Sequence, residues 1–158
     1  MTHEFQGVRF TQSPPRATPA AIRKTEDRLG TAFPEDYRQF LESVNGGAPT
    51  PNELPLADSD ERVCIDFLFG VRRKREANDL LYQQERIIER TGGVLPTGFV
   101  TIGIDPGAAP YFIGTQGLTA GKIYIYDADG FLDANRVPRL HLVANIFREL
   151  LAKLAGDQ

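Results

Sequence analysis

Between Pro34 and Asn45 the side chains of Tyr37, Phe40, Leu41 and Val44 recur at i, i+3, i+4 and i+7, the spacing of a helix with one buried face. Pro34 opens it, Glu35 and Asp36 place negative charge at the positive end of the helix dipole, and Asn45-Gly46-Gly47 stops it. Burying four such side chains contributes on the order of 6 to 12 kcal/mol gross, at about 1.5 to 3 each, before conformational entropy is subtracted. That exceeds any propensity term, so tertiary contact must hold this helix.

The flanking pattern gives the remaining elements. Residues 1–17 are polar and end in Ser13-Pro14-Pro15-Arg16, which predicts an extended lead-in that Phe5, Val8 and Phe10 could dock. Thr18-Pro19 starts a helix over 19–29 with Ile22 and Leu29 on one face and Gly30 as its left-handed cap. Pro49, Pro51 and Pro55 predict a surface loop over 48–62. Val63, Ile65, Phe67 and Phe69 alternate with Cys64, Asp66 and Leu68, a strand ending at Gly70. A helix follows over 78–90, with Leu80, Leu81, Gln84, Ile87 and Ile88 on one side and Gly92-Gly93 at its end.

Strands over 99–104, 111–114 and 122–126, separated by short Gly-rich turns, demand an antiparallel meander. A turn at Asp127-Ala128-Asp129-Gly130, an irregular stretch and a helix over 145–154 burying Ile146, Phe147, Leu150 and Leu151 complete the chain. Without βαβ alternation the class is α+β, with residues 18–158 as one domain.

Composition narrows the function classes. A chain of 158 residues with 41 % hydrophobic and 25 % charged residues is an ordinary soluble domain. The single cysteine, Cys64, cannot close an internal disulfide, and no Cys/His cluster suggests a metal, so a reducing, cytoplasmic setting is expected. Residues 1–10 lack the apolar core of a signal peptide, and no stretch of about 18 apolar residues occurs, so neither membrane crossing nor unaided secretion is expected. A net charge of -3 gives no long-range attraction to nucleic acid.

The series Ile22-x3-Glu26-x2-Leu29-Gly30-x3-Pro34-x2-Tyr37-x2-Phe40-Leu41-x3-Asn45-Gly46-Gly47 resembles the amino-terminal signature of the SUKH superfamily, of the Smi/Knr type. Phe69-Gly70 resembles that family's hydrophobic-Gly motif. Pro96 with Ile102-Gly103, Asp105 and Gly107 resembles its central strand and turn, Lys122-Ile123-Tyr124 with Asp127 its next strand, and Ala144-Asn145-Ile146-Phe147 with Leu150-Leu151 its closing helix. The resemblance covers roughly residues 19–155 and departs from the family in lacking the usual Trp, whose place Tyr124 or Tyr126 would fill. It implies one mainly antiparallel sheet with flanking helices, no cofactor and no catalytic residue. As partner it implies a protein toxin of a polymorphic or contact-dependent bacterial system, many such toxins being nucleases, which the domain neutralises as an immunity protein. A housekeeping interaction scaffold is the alternative, and a small-molecule enzyme a more distant one.

Catalytic and ligand motifs are weak. Gly117 to Lys122 fails as a phosphate loop, because three residues instead of four separate its glycines and Ile123 stands where a hydroxyl is needed. Asp127-x-Asp129-Gly130 with Asp133 lacks the distal glutamate of a calcium loop. Ser13, Ser43, Ser59, Cys64, His3 and His141 form no nucleophile pattern, and Cys64 inside a strand reads as an unreactive thiol. Charge distribution says more. Glu53, Asp58, Asp60, Glu61 and Asp66 surround one base, Arg62, and Arg72-Arg73-Lys74-Arg75 follows. Acids on an inhibitor complement the cationic groups that a nuclease carries for phosphates. The expected contact set is therefore Glu53, Asp58, Asp60, Glu61, Asp105, Asp127 and Asp129, with Tyr111 as an exposed aromatic anchor. The basic run would suit an acidic partner or nucleic acid, although it lacks interleaved aromatics. No membrane contact and no direct nucleic-acid contact are expected.

Overall fold

The computed structural model describes residues 2–57, 59–72, 76–90, 92–93, 98–126 and 139–156. It opens on a packed element where an extended lead-in was expected. Strands β1 (His3–Phe5) and β2 (Val8–Thr11) form an antiparallel hairpin, Phe5 opposite Val8 and His3 opposite Phe10. Val8 and Phe10 are fully buried, and the rings of Phe5 and Phe10 lie 6.0 and 5.2 Å from that of Phe40. The segment is polar on average, but two alternating side chains suffice once a neighbouring helix supplies the apolar surface.

Helices α1 (Pro19–Leu29) and α2 (Glu35–Ser43) form where periodicity placed them. Thr18 Oγ1 accepts the Ala21 N–H at 3.1 Å, and Gly30 at φ 73° returns its N–H to the carbonyls of Glu26 and Asp27. The connection is held by Glu26 Oε2, which accepts the Phe33 N–H at 2.6 Å and Arg38 Nη2 at 2.7 Å. Tyr37, Phe40, Leu41 and Val44 are all buried, as the spacing required.

The Pro-rich stretch is more regular than a surface loop. It carries β3 (Ala48–Thr50), which pairs with β2, and β4 (Glu53–Pro55), which pairs with β5 (Arg62–Cys64). Pro55 is tolerated because β4 and β5 form a two-stranded ladder, and Pro49 because β3 is an edge strand of its sheet. The strand expected over 63–69 divides: its first part is β5, and its second, β6 (Phe67–Leu68), pairs with β7 (Phe99–Ile104). Helix α3 (Leu80–Arg90) lies between β6 and β7 in the chain.

The meander is as expected, with β7, β8 (Pro110–Gly114) and β9 (Ile123–Tyr126) antiparallel in sequence. A further strand, β10 (Leu140–Ala144), pairs with β9 where an irregular stretch was expected, and it carries His141. Helix α4 (Phe147–Leu154) begins later than expected, so Ile146 is its cap and stands 48 % exposed instead of buried. Phe147, Leu150, Leu151 and Leu154 are buried, and the Phe147 ring lies 5.0 Å from Tyr37 and 4.9 Å from Phe40.

The architecture is α+β with antiparallel sheets, but the single sheet resolves into three: β1-β2-β3, β10-β9-β8-β7-β6 and β4-β5. The first two meet at one isolated bridge, Gly47 with Leu68, whose two N–H···O bonds are each 2.9 Å.

That bridge sits at a crossing organised by Asn45. Buried at φ 64°, Asn45 donates from Nδ2 to the carbonyls of Pro15 and Val71 and accepts the Val71 N–H at Oδ1, each at 2.8 Å. Ser13 Oγ donates to the Gly46 carbonyl at 2.8 Å. A Cβ on Gly70 would lie 2.0 Å from the Asn45 carbonyl oxygen, so only glycine allows the two segments to cross. Asn45→Ala leaves three backbone groups without their partner and should lower unfolding free energy by about 3 kcal/mol, given about 1 to 3 kcal/mol for each unsatisfied buried group. Urea denaturation monitored by circular dichroism checks this, and a loss under about 1 kcal/mol would refute the role of the amide.

Candidate functional site

The β4–β5 hairpin carries the first acidic residues. Glu53 stands opposite Cys64 at its base, exposed, with Oε1 accepting Arg62 Nε at 2.7 Å. Asp60 and Glu61 are exposed in its turn, where Ser59 Oγ accepts the Glu61 N–H at 3.0 Å. The chain then passes to the large sheet. The Asp66 N–H bonds the Ile104 carbonyl at 2.9 Å, which sets Asp66 beside the turn after β7. There Asp105, half-buried, accepts the Ala109 N–H at Oδ1, 2.7 Å away.

These segments converge on Cys64. Burial pushes its thiol above the ordinary value, and the carboxylates of Glu53, Asp105 and Asp66 push it further. A thiol so placed is disfavoured as thiolate, which agrees with an unreactive cysteine. Three carboxylates, Glu53, Asp66 and Asp105, thus gather around Cys64, and Asp60 and Glu61 are exposed in the turn of the same hairpin that carries Glu53. Asp66 belongs to the acidic run of the sequence but was not among the individual contact residues expected. The polar phase of its alternation with Ile65 and Phe67 was the available signal, but its pairing with the β7 end was not.

Tyr111 is not the exposed anchor expected. It is fully buried, and its hydroxyl donates to the Cys64 carbonyl at 2.6 Å. Burial raises its phenol, with Asp105 and Cys64 adding to the rise. Strand β8 is buried along its whole length, so the alternation that assigns one face to solvent does not apply. Its role is to tie β8 to β5 beneath the acidic face.

Asp58, Asp127 and Asp129, together with Asp133 and the bases Arg73, Lys74 and Arg75, lie outside the described residues. Of the candidate nucleophiles, Ser13 is buried and its hydroxyl donates to Gly46. Among the described residues no group of three or more His, Cys, Asp or Glu is arranged to hold a metal ion, and no helix is long and apolar enough to cross a membrane.

Comparison with protein families matches residues 16–153 to SMI1 / KNR4. The chain belongs to the SMI1 / KNR4 family (SUKH-1). Comparison with curated proteins gives no match. The SUKH domain is known in immunity proteins and is generally non-catalytic. In this SUKH-1 chain the signature residues serve folding: Glu26 holds the α1–α2 connection, Tyr37 and Phe40 fill the core, and Asn45 fixes the crossing. The family match begins after the β1–β2 hairpin. Of the two tyrosines considered for the missing Trp, Tyr126 is buried and Tyr124 half-buried, its ring 5.6 Å from Phe99.

The raised Cys64 thiol gives a direct test of the acidic convergence. Because its folded value exceeds the unfolded one of about 8.5, its contribution to stability is present below that pH and is lost as pH rises through the folded value. The pH midpoint of iodoacetamide alkylation in the native protein should lie above that of the urea-unfolded chain. Glu53→Gln with Asp105→Asn should lower it, and an unmoved midpoint would show that these carboxylates do not act on Cys64.

Proposed function

We propose that this SUKH-1 domain is an immunity protein acting in the cytoplasm, a non-catalytic binder that occludes a bacterial protein toxin. Family membership supports the class, and the observation that carries the contact surface is the convergence of Glu53, Asp66 and Asp105 around Cys64, extended by Asp60 and Glu61. The face suits a toxin with a cationic surface, of which a nuclease is one kind, since an enzyme that binds phosphates carries bases at its site. Binding is the whole mechanism. Clustered carboxylates accelerate encounter and fix register, and covering the cationic site excludes substrate. Glu53 is already paired with exposed Arg62, a contact worth little by itself, so Asp60, Glu61, Asp66 and Asp105 carry the steering.

Co-expression with a toxin encoded in a neighbouring gene tests the reading. Rescue of growth and a complex on gel filtration are expected, and failure of both with every neighbouring toxin would overturn it. In that complex, Asp60→Lys with Glu61→Lys should slow association about tenfold at low ionic strength and flatten its salt dependence, as read by stopped-flow. An unchanged association rate would remove this face from the interface.

A further inference from the structure

A second surface of opposite character lies across α1 and α3. An open groove of about 960 Å³ runs along α1 from Ala21 to Arg28, between residues 14–18, the amino-terminal half of α3 and the segment at Val71. Its floor is Pro14, Pro15, Ala17, Ala21, Val71 and Leu81. Its rim carries four bases, Arg16, Lys24, Arg28 and Arg72. Three acids also line it, and each is engaged. Glu76 pairs with Arg72 at 3.3 Å, and Glu85 pairs with Arg28 at 3.9 Å. Buried Asp79 accepts the N–H groups of Arg72 and Tyr82 at 3.2 and 3.1 Å. Arg16 and Lys24 are exposed, and neither has an ion pair among the described residues.

The walls are fixed before anything binds. Asn45 occupies the Pro15 carbonyl and both backbone groups of Val71, tying the two sides of the groove together from beneath. Preorganisation of this kind reduces the ordering cost of binding.

We infer that this groove docks an extended acidic peptide segment of a partner protein, its carboxylates on Arg16 and Lys24 and its small apolar side chains on the proline and aliphatic floor. Charge complementarity sets the partner's sign, and the lining decides between peptide and nucleic acid. Among the described residues no aromatic side chain lines the groove to stack a base, and the interspersed Glu76 and Glu85 oppose a continuous run of phosphates while tolerating spaced carboxylates. The volume lies within the range of about 300 to 1,000 Å³ common for ligand clefts. The groove stands apart from the acidic face, and its failure would leave the toxin reading untouched.

Fluorescence anisotropy with a fluorescein-labelled peptide of alternating Glu and Val tests this on the full chain. Saturable binding at low ionic strength is expected. Arg16→Glu with Lys24→Glu should weaken it about tenfold or more, and Glu53→Gln with Asp105→Asn should leave it unchanged. Both reversed residues are exposed, so thermal melting should show the variant folded; Lys24→Gln, which adds no charge of its own, should weaken binding in the same direction. Absence of acidic-peptide binding, equal binding by the reversed variant, or tighter binding of an oligothymidylate would each overturn the inference.

Discussion

The side-chain amide of Asn45 is the contact on which the arrangement of this protein rests. It closes α2, reaches back to Pro15 and takes both backbone groups of Val71, so one buried side chain joins three parts of the chain far apart in sequence. Water cannot replace these bonds in a buried site, and a backbone group left without a partner there costs as much as the bond itself. The close approach has a steric condition. A Cβ on Gly46 would meet the Leu68 carbonyl oxygen at 2.6 Å, and one on Gly70 would meet that of Asn45 at 2.0 Å. Asn45-Gly46-Gly47 is therefore more than a helix stop, because the same residues deliver Gly47 to Leu68 and join the two larger sheets.

Much of the fold was legible because its causes are local. Thr18, Gly30, Pro34 and the Tyr37 to Val44 period act within a turn or two of themselves, and the helices formed accordingly. Elements whose stability comes from elsewhere were hidden. The β1–β2 hairpin offers only Val8 and Phe10 as alternating buried residues, and what makes them a core is Phe40, thirty residues on. The division of 63–69 was invisible for a related reason: alternation says that a residue is in a strand, not which strand it pairs with. Val63 faces Leu54 while Leu68 faces Gly103.

The candidate site shows the same limit. Glu53, Asp58, Asp60, Glu61 and Asp66 form one acidic run in the sequence, but the bond from the Asp66 N–H to the Ile104 carbonyl, which brings Asp105 beside that run, is a pairing that sequence proximity does not show. Tyr111 was misread because β8 is covered on both faces, where an aromatic side chain has no solvent side to occupy. Its hydroxyl still found a use, as buried phenols generally do, on the Cys64 carbonyl.

Charge follows a division of labour that the net value of -3 conceals. Inside the fold it is paired and structural: Glu26, 11 % exposed, holds both Arg38 and the Phe33 N–H. Outside, carboxylates gather around Cys64, while the groove beside α1 carries Arg16 and Lys24 next to bases already paired with Glu76 and Glu85. The SUKH-1 signature residues lie in the first category, so substitutions on either exposed face leave the Asn45 crossing and the aromatic core intact. A scaffold built this way can exchange the chemistry of its surfaces without repacking its interior, because the groups that determine the fold are not the groups on these two exposed faces.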